Sequence, residues 1–105
     1  MSDGPMHPRR LALVAARFRT LGEPARLQLL DVLRRGERTV SELVALTGMG
    51  QANVSKHLQV LHQAGFVERR REGLFTRYRI GDEDVFRLCD LVCRRLDEER
   101  RALSG

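Results

Sequence analysis

The chain has 105 residues, of which 42% are hydrophobic and 31% charged, a balance typical of one small globular domain. No segment approaches the roughly 20 consecutive apolar residues that a membrane-spanning helix requires, and the first ten residues lack the apolar core of a signal peptide. We therefore expect a cytoplasmic protein with no membrane partner. A domain of this size buries a modest core, which a dimer interface would enlarge.

The positive charge is unevenly distributed along the chain. Its 19 Lys and Arg exceed its 14 Asp and Glu, for a net charge of +5. Residues 1–81 contain 14 basic and 7 acidic side chains, whereas residues 82–105 contain 5 and 7. Excess positive charge on the body of a domain favours a polyanionic partner such as nucleic acid.

Hydrophobic periodicity predicts helices in the first half of the chain. Residues 1–7 contain glycine and proline without periodicity, so we expect a disordered arm there. From Pro8 to Gly22 apolar residues recur at steps of three and four, which predicts a first helix. A second helix opens at Pro24, because proline fits the first turn, and closes before Gly36.

Two short helices separated by a glycine-containing turn come next. Either Thr39 or Ser41 is a suitable N-cap for a third helix, which stops at Gly48. The following helix begins near Gly50 and extends to Ala64. Its apolar residues lie on one face and leave its polar residues for the outer surface.

The last third of the chain predicts a hairpin and a long helix. Residues 66–71 and 75–80 have strand character and flank a tight tip at Glu72-Gly73. The final helix covers about residues 83–101 and carries one broad apolar stripe, leaving residues 102–105 as a tail. The folded domain is thus expected to cover residues 8–101.

This order of elements is that of a winged helix-turn-helix, a mostly α-helical fold with a small β-hairpin. In such a fold the second helix of the pair lies in the DNA major groove.

Three stretches resemble the ArsR/SmtB-type winged-helix repressors, and the resemblance covers roughly residues 10–100. They are FRTLGEPARL at residues 18–27, NVSKHLQVL at residues 53–61 and AGFVERRREG at residues 64–73. The resemblance implies a homodimer joined through the first and last helices. It also implies a repressor that binds an inverted-repeat operator in double-stranded DNA and leaves it when an inducer is sensed.

The exposed face of the predicted recognition helix carries side chains suited to base edges and phosphate oxygens. The candidate DNA-binding residues of this helix are Gln51, Ala52, Asn53, Ser55, Lys56 and His57. For His57 a structural or a phosphate-contacting role is favoured, and an ordinary solvated helix face is the alternative for the others. Gly50 departs from the Ser or Thr usual in the family, which removes a capping side chain.

Five arginines lie in the hairpin: Arg69, Arg70, Arg71, Arg77 and Arg79. Alternation along a strand prevents all of them from facing DNA. We expect Arg71, near the tip, to reach the minor groove, with Arg77 and Arg79 in support.

Cys89 and Cys93 are too few for a secreted disulfide framework. Four residues apart on a helix, they share one face, with Cβ atoms about 5–6 Å apart. This pair suits arsenite, antimonite or a thiophilic metal ion, and no other cofactor is predicted. Arsenite favours three thiols, so the partner subunit or an exogenous thiol would supply the third. A redox or persulfide switch and a purely apolar role in the dimer core are the alternatives.

Two rivals belong to other functional classes. A winged helix also serves as a protein-interaction module, whose binding would show no steep salt dependence on DNA. A thiol oxidoreductase is disfavoured because the cysteines lack the Cys-x-x-Cys spacing. No catalytic triad, phosphate loop or paired acid site is recognisable, so we expect no enzymatic activity.

Overall fold

The computed structural model describes residues 4–104, which form five helices and a three-stranded antiparallel sheet. The helices are α1 (Pro8–Leu21), α2 (Pro24–Leu33), α3 (Val40–Thr47), α4 (Gln51–Gln63) and α5 (Asp84–Ser104). The strands are β1 (Arg38–Thr39), β2 (Val67–Glu72) and β3 (Phe75–Ile80). The predicted helices, hairpin and order of elements are present.

The sheet contains one strand more than the sequence predicted. Its order is β1-β3-β2, and β1 pairs Arg38 with Tyr78 and Thr39 with Arg77. A two-residue strand is too short to show alternation of polar and apolar residues, so its pattern gave no signal.

The ends of the chain differ slightly from the expected boundaries. α5 continues through residues 102–104, where a tail was expected, because the last turn of an exposed helix carries no strong sequence signal. Within the expected arm, residues 4–7 form no helix or strand, and residues 1–3 lie outside the described part, as does residue 105 of the expected tail.

The buried core lies between α2, α3 and α4, the start of β2 and the first turn of α5. Its members are Leu29, Leu30, Leu33, Leu43, Val54, Leu58, Leu61, Phe66, Val67, Val85 and Phe86. α1 contributes no buried residue, and α5 contributes only Val85 and Phe86. Within residues 4–104, none of the helices combines the length and hydropathy needed to cross a bilayer.

Local hydrogen bonds fix where α3 begins and ends. The Thr39 hydroxyl accepts from the backbone N–H of Glu42 at 3.2 Å, and the Glu42 carboxylate accepts from the backbone N–H of Thr39 at 2.8 Å. This reciprocal pair is a capping box, and it identifies Thr39 rather than Ser41 as the N-cap. Gly48 ends the helix with a φ of 76°, which an L side chain rarely adopts. α4 follows after Gly50, which offers no capping side chain.

Replacing Thr39 with alanine removes the hydroxyl that accepts from the first turn of α3. We expect the Thr39→Ala variant to lose about 1 kcal/mol of unfolding free energy. Ser41→Ala, a matched change two residues further along, is expected to lose less than about 0.5 kcal/mol. Urea unfolding followed by circular dichroism, at one protein concentration for all variants, measures both. Equal losses in the two variants would contradict the assignment of the cap.

Candidate nucleic-acid interface and thiol pair

One face of α4 is buried and the opposite face is open. Val54, Leu58 and Leu61 are fully buried and hold the helix against the core. Five of the six candidate residues of this helix are exposed: Gln51, Ala52, Asn53, Ser55 and Lys56. They lie at the N-terminal end of α4, where the helix dipole and free backbone N–H groups favour an anion. This surface is therefore suited to a polyanion.

His57 lies apart from the other candidates. It is half-buried, and its Nδ1 accepts a hydrogen bond from Arg26 Nε of α2 at 3.2 Å. The same arginine donates from Nη1 to the backbone oxygen of Thr20 at 3.2 Å. The structure therefore places His57 on the flank of α4 that faces α2.

One face of the hairpin is covered by ion pairs. Arg70 contacts Glu37 at 2.9 Å and Glu72 at 3.3 Å. Arg77 contacts Glu72 at 3.2 Å and Glu42 at 3.7 Å. Arg79 contacts Glu68 at 3.0 Å and Glu37 at 3.8 Å. The charges of three arginines are therefore balanced by four glutamates.

Glu42 belongs to both the helix cap and these ion pairs. The backbone N–H of Thr39, which donates to it, lowers the pKa of the Glu42 carboxyl below its ordinary value of 4.5. The Thr39 hydroxyl and the nearby Arg77 and Arg38 act in the same direction. Glu42 therefore remains a carboxylate partner of Arg77 at neutral pH.

Arg69 and Arg71 lie on the opposite face of the hairpin. Across the strands they are paired with Tyr78 and Thr76. Both are exposed, and among residues 4–104 no carboxylate lies within 4.0 Å of either guanidinium. Arg71 Nε lies 3.4 Å from the carbonyl oxygen of Gly73 at the tip of the hairpin. Of the three candidate arginines, only Arg71 is thus free of a carboxylate partner in the described part of the chain.

The sequence could have shown part of this difference. Glu68, Arg70 and Glu72 alternate along one strand, which places two carboxylates on the same face as Arg70. The contributions of Glu37 and Glu42 depend on tertiary packing, because both precede the hairpin by many residues. Arg69 lies two residues before Arg71, so alternation alone places both side chains on one face and offers Arg69 as a contact that the prediction omitted.

The two cysteines lie in an apolar groove between α1, α2 and α5. Cys89 is half-buried and Cys93 is exposed, and neither forms a disulfide. The groove has a volume of about 390 Å³. Its other lining residues are Phe18, Leu21, Gly22, Leu27, Leu88, Val92 and Leu96. The structure thus brings the predicted thiol pair together with the exposed apolar residues of the first and last helices.

Burial raises the pKa of the Cys89 thiol above its ordinary value of 9.0. Cys93 and Asp90 act in the same direction, and Arg34 opposes them. A raised pKa keeps the sulfur protonated at neutral pH, so it reacts slowly as a nucleophile. A soft metal ion would have to displace that proton.

Three or more metal-binding side chains do not converge anywhere in the described residues. A single chain therefore offers two sulfur ligands at most in this groove. That number suits a linear two-coordinate soft ion better than zinc, which takes four ligands in structural sites.

The chain matches the model of a family described as bacterial regulatory protein, arsR family, over residues 23–69. It is 47% identical over 75 residues to a probable mercury resistance operon repressor of Streptomyces lividans, a match covering 71% of this chain. The chain spans only 58% of the length of that relative. It is also 38% identical over 88 residues to a biofilm growth-associated repressor of Agrobacterium fabrum, covering 84% of this chain and 75% of the relative.

The fold is also similar to solved structures. One is the solution structure of a homodimeric winged helix-turn-helix DNA-binding domain from Mycobacterium bovis, a possible ArsR-family regulator. It superposes with a TM-score of 0.76 and 42% sequence identity, covering 93% of this chain and 92% of that one. The likeness extends well beyond residues 23–69, which the family model matches.

The raised pKa of Cys89 predicts a particular pH dependence of alkylation. In Cys93→Ser, Cys89 is the only thiol, and burial remains the main cause of its shift. Because the thiolate is the reactive form, we expect iodoacetamide to reach half its maximal rate at a higher pH with the folded variant than with the same variant in urea. Quenching the reaction at a series of times and quantifying the alkylated protein by mass spectrometry gives the rate against pH for the folded and the unfolded variant. If the folded variant reaches half its maximal alkylation rate at the same pH as the unfolded variant or at a lower pH, burial does not raise the pKa of Cys89.

Proposed function

The chain belongs to the arsR family of bacterial regulatory proteins, and we propose that it is a homodimeric repressor that binds an inverted-repeat operator and is released by an inducer. The observation that carries the proposal is the exposed N-terminal face of α4, which is held outward by Val54, Leu58 and Leu61. A helix that buries one face and presents amides, a hydroxyl and a lysine on the other meets the requirements for major-groove contact.

The hairpin supplies the second part of the proposed DNA contact. Arg71 lies near its tip without a carboxylate partner, so its charge is available to a phosphate or to the narrow minor groove. Arg77 and Arg79 are balanced by glutamates, which disfavours direct contact with DNA. Arg77 also pairs with Glu42 and so holds the hairpin against α3.

The proposed dimer joins α1 and α5 to the same helices of a second copy. Phe18 of α1 is 59% exposed, and Val92 and Leu96 of α5 are 60% and 57% exposed. A contiguous apolar surface of this kind is unusual in a monomer and is typical of an interface. The similar domain from Mycobacterium bovis is described as homodimeric, which supports a dimer here.

The proposed inducer acts at Cys89 and Cys93. Both cysteines lie on the surface that the second copy would cover, so a ligand there would alter the spacing of the two recognition helices. Two sulfur ligands in an apolar groove favour a thiophilic metal ion, and arsenite or antimonite would need a third thiol. A redox or persulfide switch at the same two thiols, and a purely apolar role of the cysteines in the dimer core, are the alternatives.

The test is fluorescence anisotropy of the reduced protein on the DNA upstream of its own gene, over a range of salt concentrations. We expect salt-sensitive binding that one agent among a mercuric salt, cadmium, arsenite and a persulfide donor releases. We expect Cys89→Ser and Cys93→Ser to bind DNA equally well but to resist release. Release that persists in both variants would exclude the thiol pair as the sensor, leaving a regulator with no cysteine sensor. Weak binding without salt dependence would favour the protein-interaction module.

Two hairpin variants that each remove one positive charge are expected to differ in their affinity for the operator. Arg71→Ala should weaken operator binding roughly ten-fold and reduce the salt slope by about one for each phosphate that Arg71 neutralises. Arg77→Ala should weaken binding less than about three-fold, because its exposed ion pairs contribute little and its charge is already balanced. Anisotropy titrations at several salt concentrations compare the two. A larger effect for Arg77→Ala would reverse the assignment.

A further inference from the structure

Arg26 joins three helices through one side chain. It lies in the first turn of α2, and the residue is half-buried. Nη1 donates to the carbonyl oxygen of Thr20 in the last turn of α1, and Nε donates to His57 Nδ1 on α4, each at 3.2 Å. The two acceptors are therefore held by one planar group with fixed angles between its donors.

The helix that Arg26 holds on one side is otherwise weakly attached to the core. α1 has no buried residue, and only Leu21 in its last turn packs partly against the core. Phe18, Leu21 and Gly22 at this end of α1 line the groove that contains the cysteines. The hydrogen bond to Thr20 thus links the end of α1 nearest the groove to the start of α2.

The helix on the other side of Arg26 is the recognition helix. His57 follows the exposed candidates Ser55 and Lys56 directly in sequence. Apolar burial of Val54, Leu58 and Leu61 fixes which face of α4 is inward, but apolar contacts are not directional. A hydrogen bond has a preferred angle and distance, so the contact with Arg26 restrains the tilt and rotation of α4.

We infer that Arg26 is a positioning residue for DNA binding, because it sets the orientation of α4 relative to α1 through His57 and Thr20. The inference rests on the proposed function. In a dimer that joins α1 to its partner copy, this orientation determines the separation of the two recognition helices. Operator half-sites require a separation of about 34 Å. Loss of the contacts of Arg26 with His57 and Thr20 therefore lowers the affinity for DNA without removing any side chain that touches DNA.

The contact with Arg26 requires an unprotonated Nδ1 on His57, because that nitrogen accepts the hydrogen bond. Asparagine at this position places its amide oxygen as many bonds from Cα as Nδ1, and it can accept from Arg26. Leucine has a similar volume and accepts no hydrogen bond. The pair His57→Asn and His57→Leu therefore separates the hydrogen bond from packing.

The experiment compares operator affinity and its salt dependence for the full-length protein and five variants. These are Arg26→Lys, His57→Leu, His57→Asn, the double variant Arg26→Lys with His57→Leu, and the control Arg35→Lys. Lysine keeps the charge of Arg26 but cannot hold two acceptors at fixed angles. Arg35 is an exposed arginine just beyond the end of α2, and it pairs with Asp31 at 3.1 Å. Replacing it with lysine makes the same chemical change at a site that contacts neither Thr20 nor His57.

We expect Arg26→Lys and His57→Leu each to weaken binding about ten-fold, equivalent to about 1.4 kcal/mol, with an unchanged salt slope. The double variant should bind no more weakly than either single variant, because both remove the same interaction. His57→Asn should recover most of the affinity, and Arg35→Lys should bind as the wild type does. A long-range proton–nitrogen correlation spectrum should show an unprotonated Nδ1 for His57 in the wild type and a changed Nδ1 resonance in Arg26→Lys.

Two results would overturn the inference while leaving the proposed function intact. They are wild-type affinity for Arg26→Lys and multiplicative losses in the double variant. Circular dichroism and titration of the DNA-binding fraction with excess operator confirm that each variant is folded when compared. Failure of the wild type itself to bind upstream DNA would instead overturn the proposed function, and the inference with it.

Discussion

The burial of Val54, Leu58 and Leu61 beneath α4 is the constraint on which the other features depend. These residues recur at steps of four and three, so a single helix face is removed from water and the opposite face must remain in it. Their partners come from α2, α3 and the start of β2, which together enclose the core. Once this face is inward, the amides and the lysine at the start of α4 are presented to solvent, and the hairpin is placed beside them.

The same core is too small to cover all five helices. α1 buries none of its residues and α5 only two, although both carry apolar stripes. The molecule therefore divides into a closed part, formed around α4, and an open part, formed by α1 and α5. The cysteines belong to the open part. A ligand or a second copy at that surface can alter the relation between the two parts without disturbing the core, which is the physical requirement for an inducible regulator.

The charges of the hairpin are sorted by face. Arg70, Arg77 and Arg79 share their face with carboxylates, whereas Arg69 and Arg71 do not. Within the hairpin, a polyanion therefore meets unbalanced positive charge on the face of Arg69 and Arg71 and balanced charge on the other face. Arg70 and Arg77 lie directly opposite each other on the two strands, where like charges repel. The neighbouring glutamates reduce this repulsion.

Local sequence was sufficient for most features that depend on residues within a few positions of one another, although it left the N-cap of α3 open and ended α5 too early. Periodicity placed all five helices, a capping residue and glycines marked the ends of α3, and alternation marked β2 and β3. Similar solved structures confirm the predicted winged helix-turn-helix fold, and the match to the arsR family confirms the family that the three sequence stretches resemble. Only the tertiary structure decided the features that depend on distant residues. The contact of Arg26 with His57 spans 31 positions and that of Glu37 with Arg70 spans 33, and β1 exists only because β3 pairs with it. A periodic pattern records which side of an element is apolar, but it carries no information about which polar group from another element will face it.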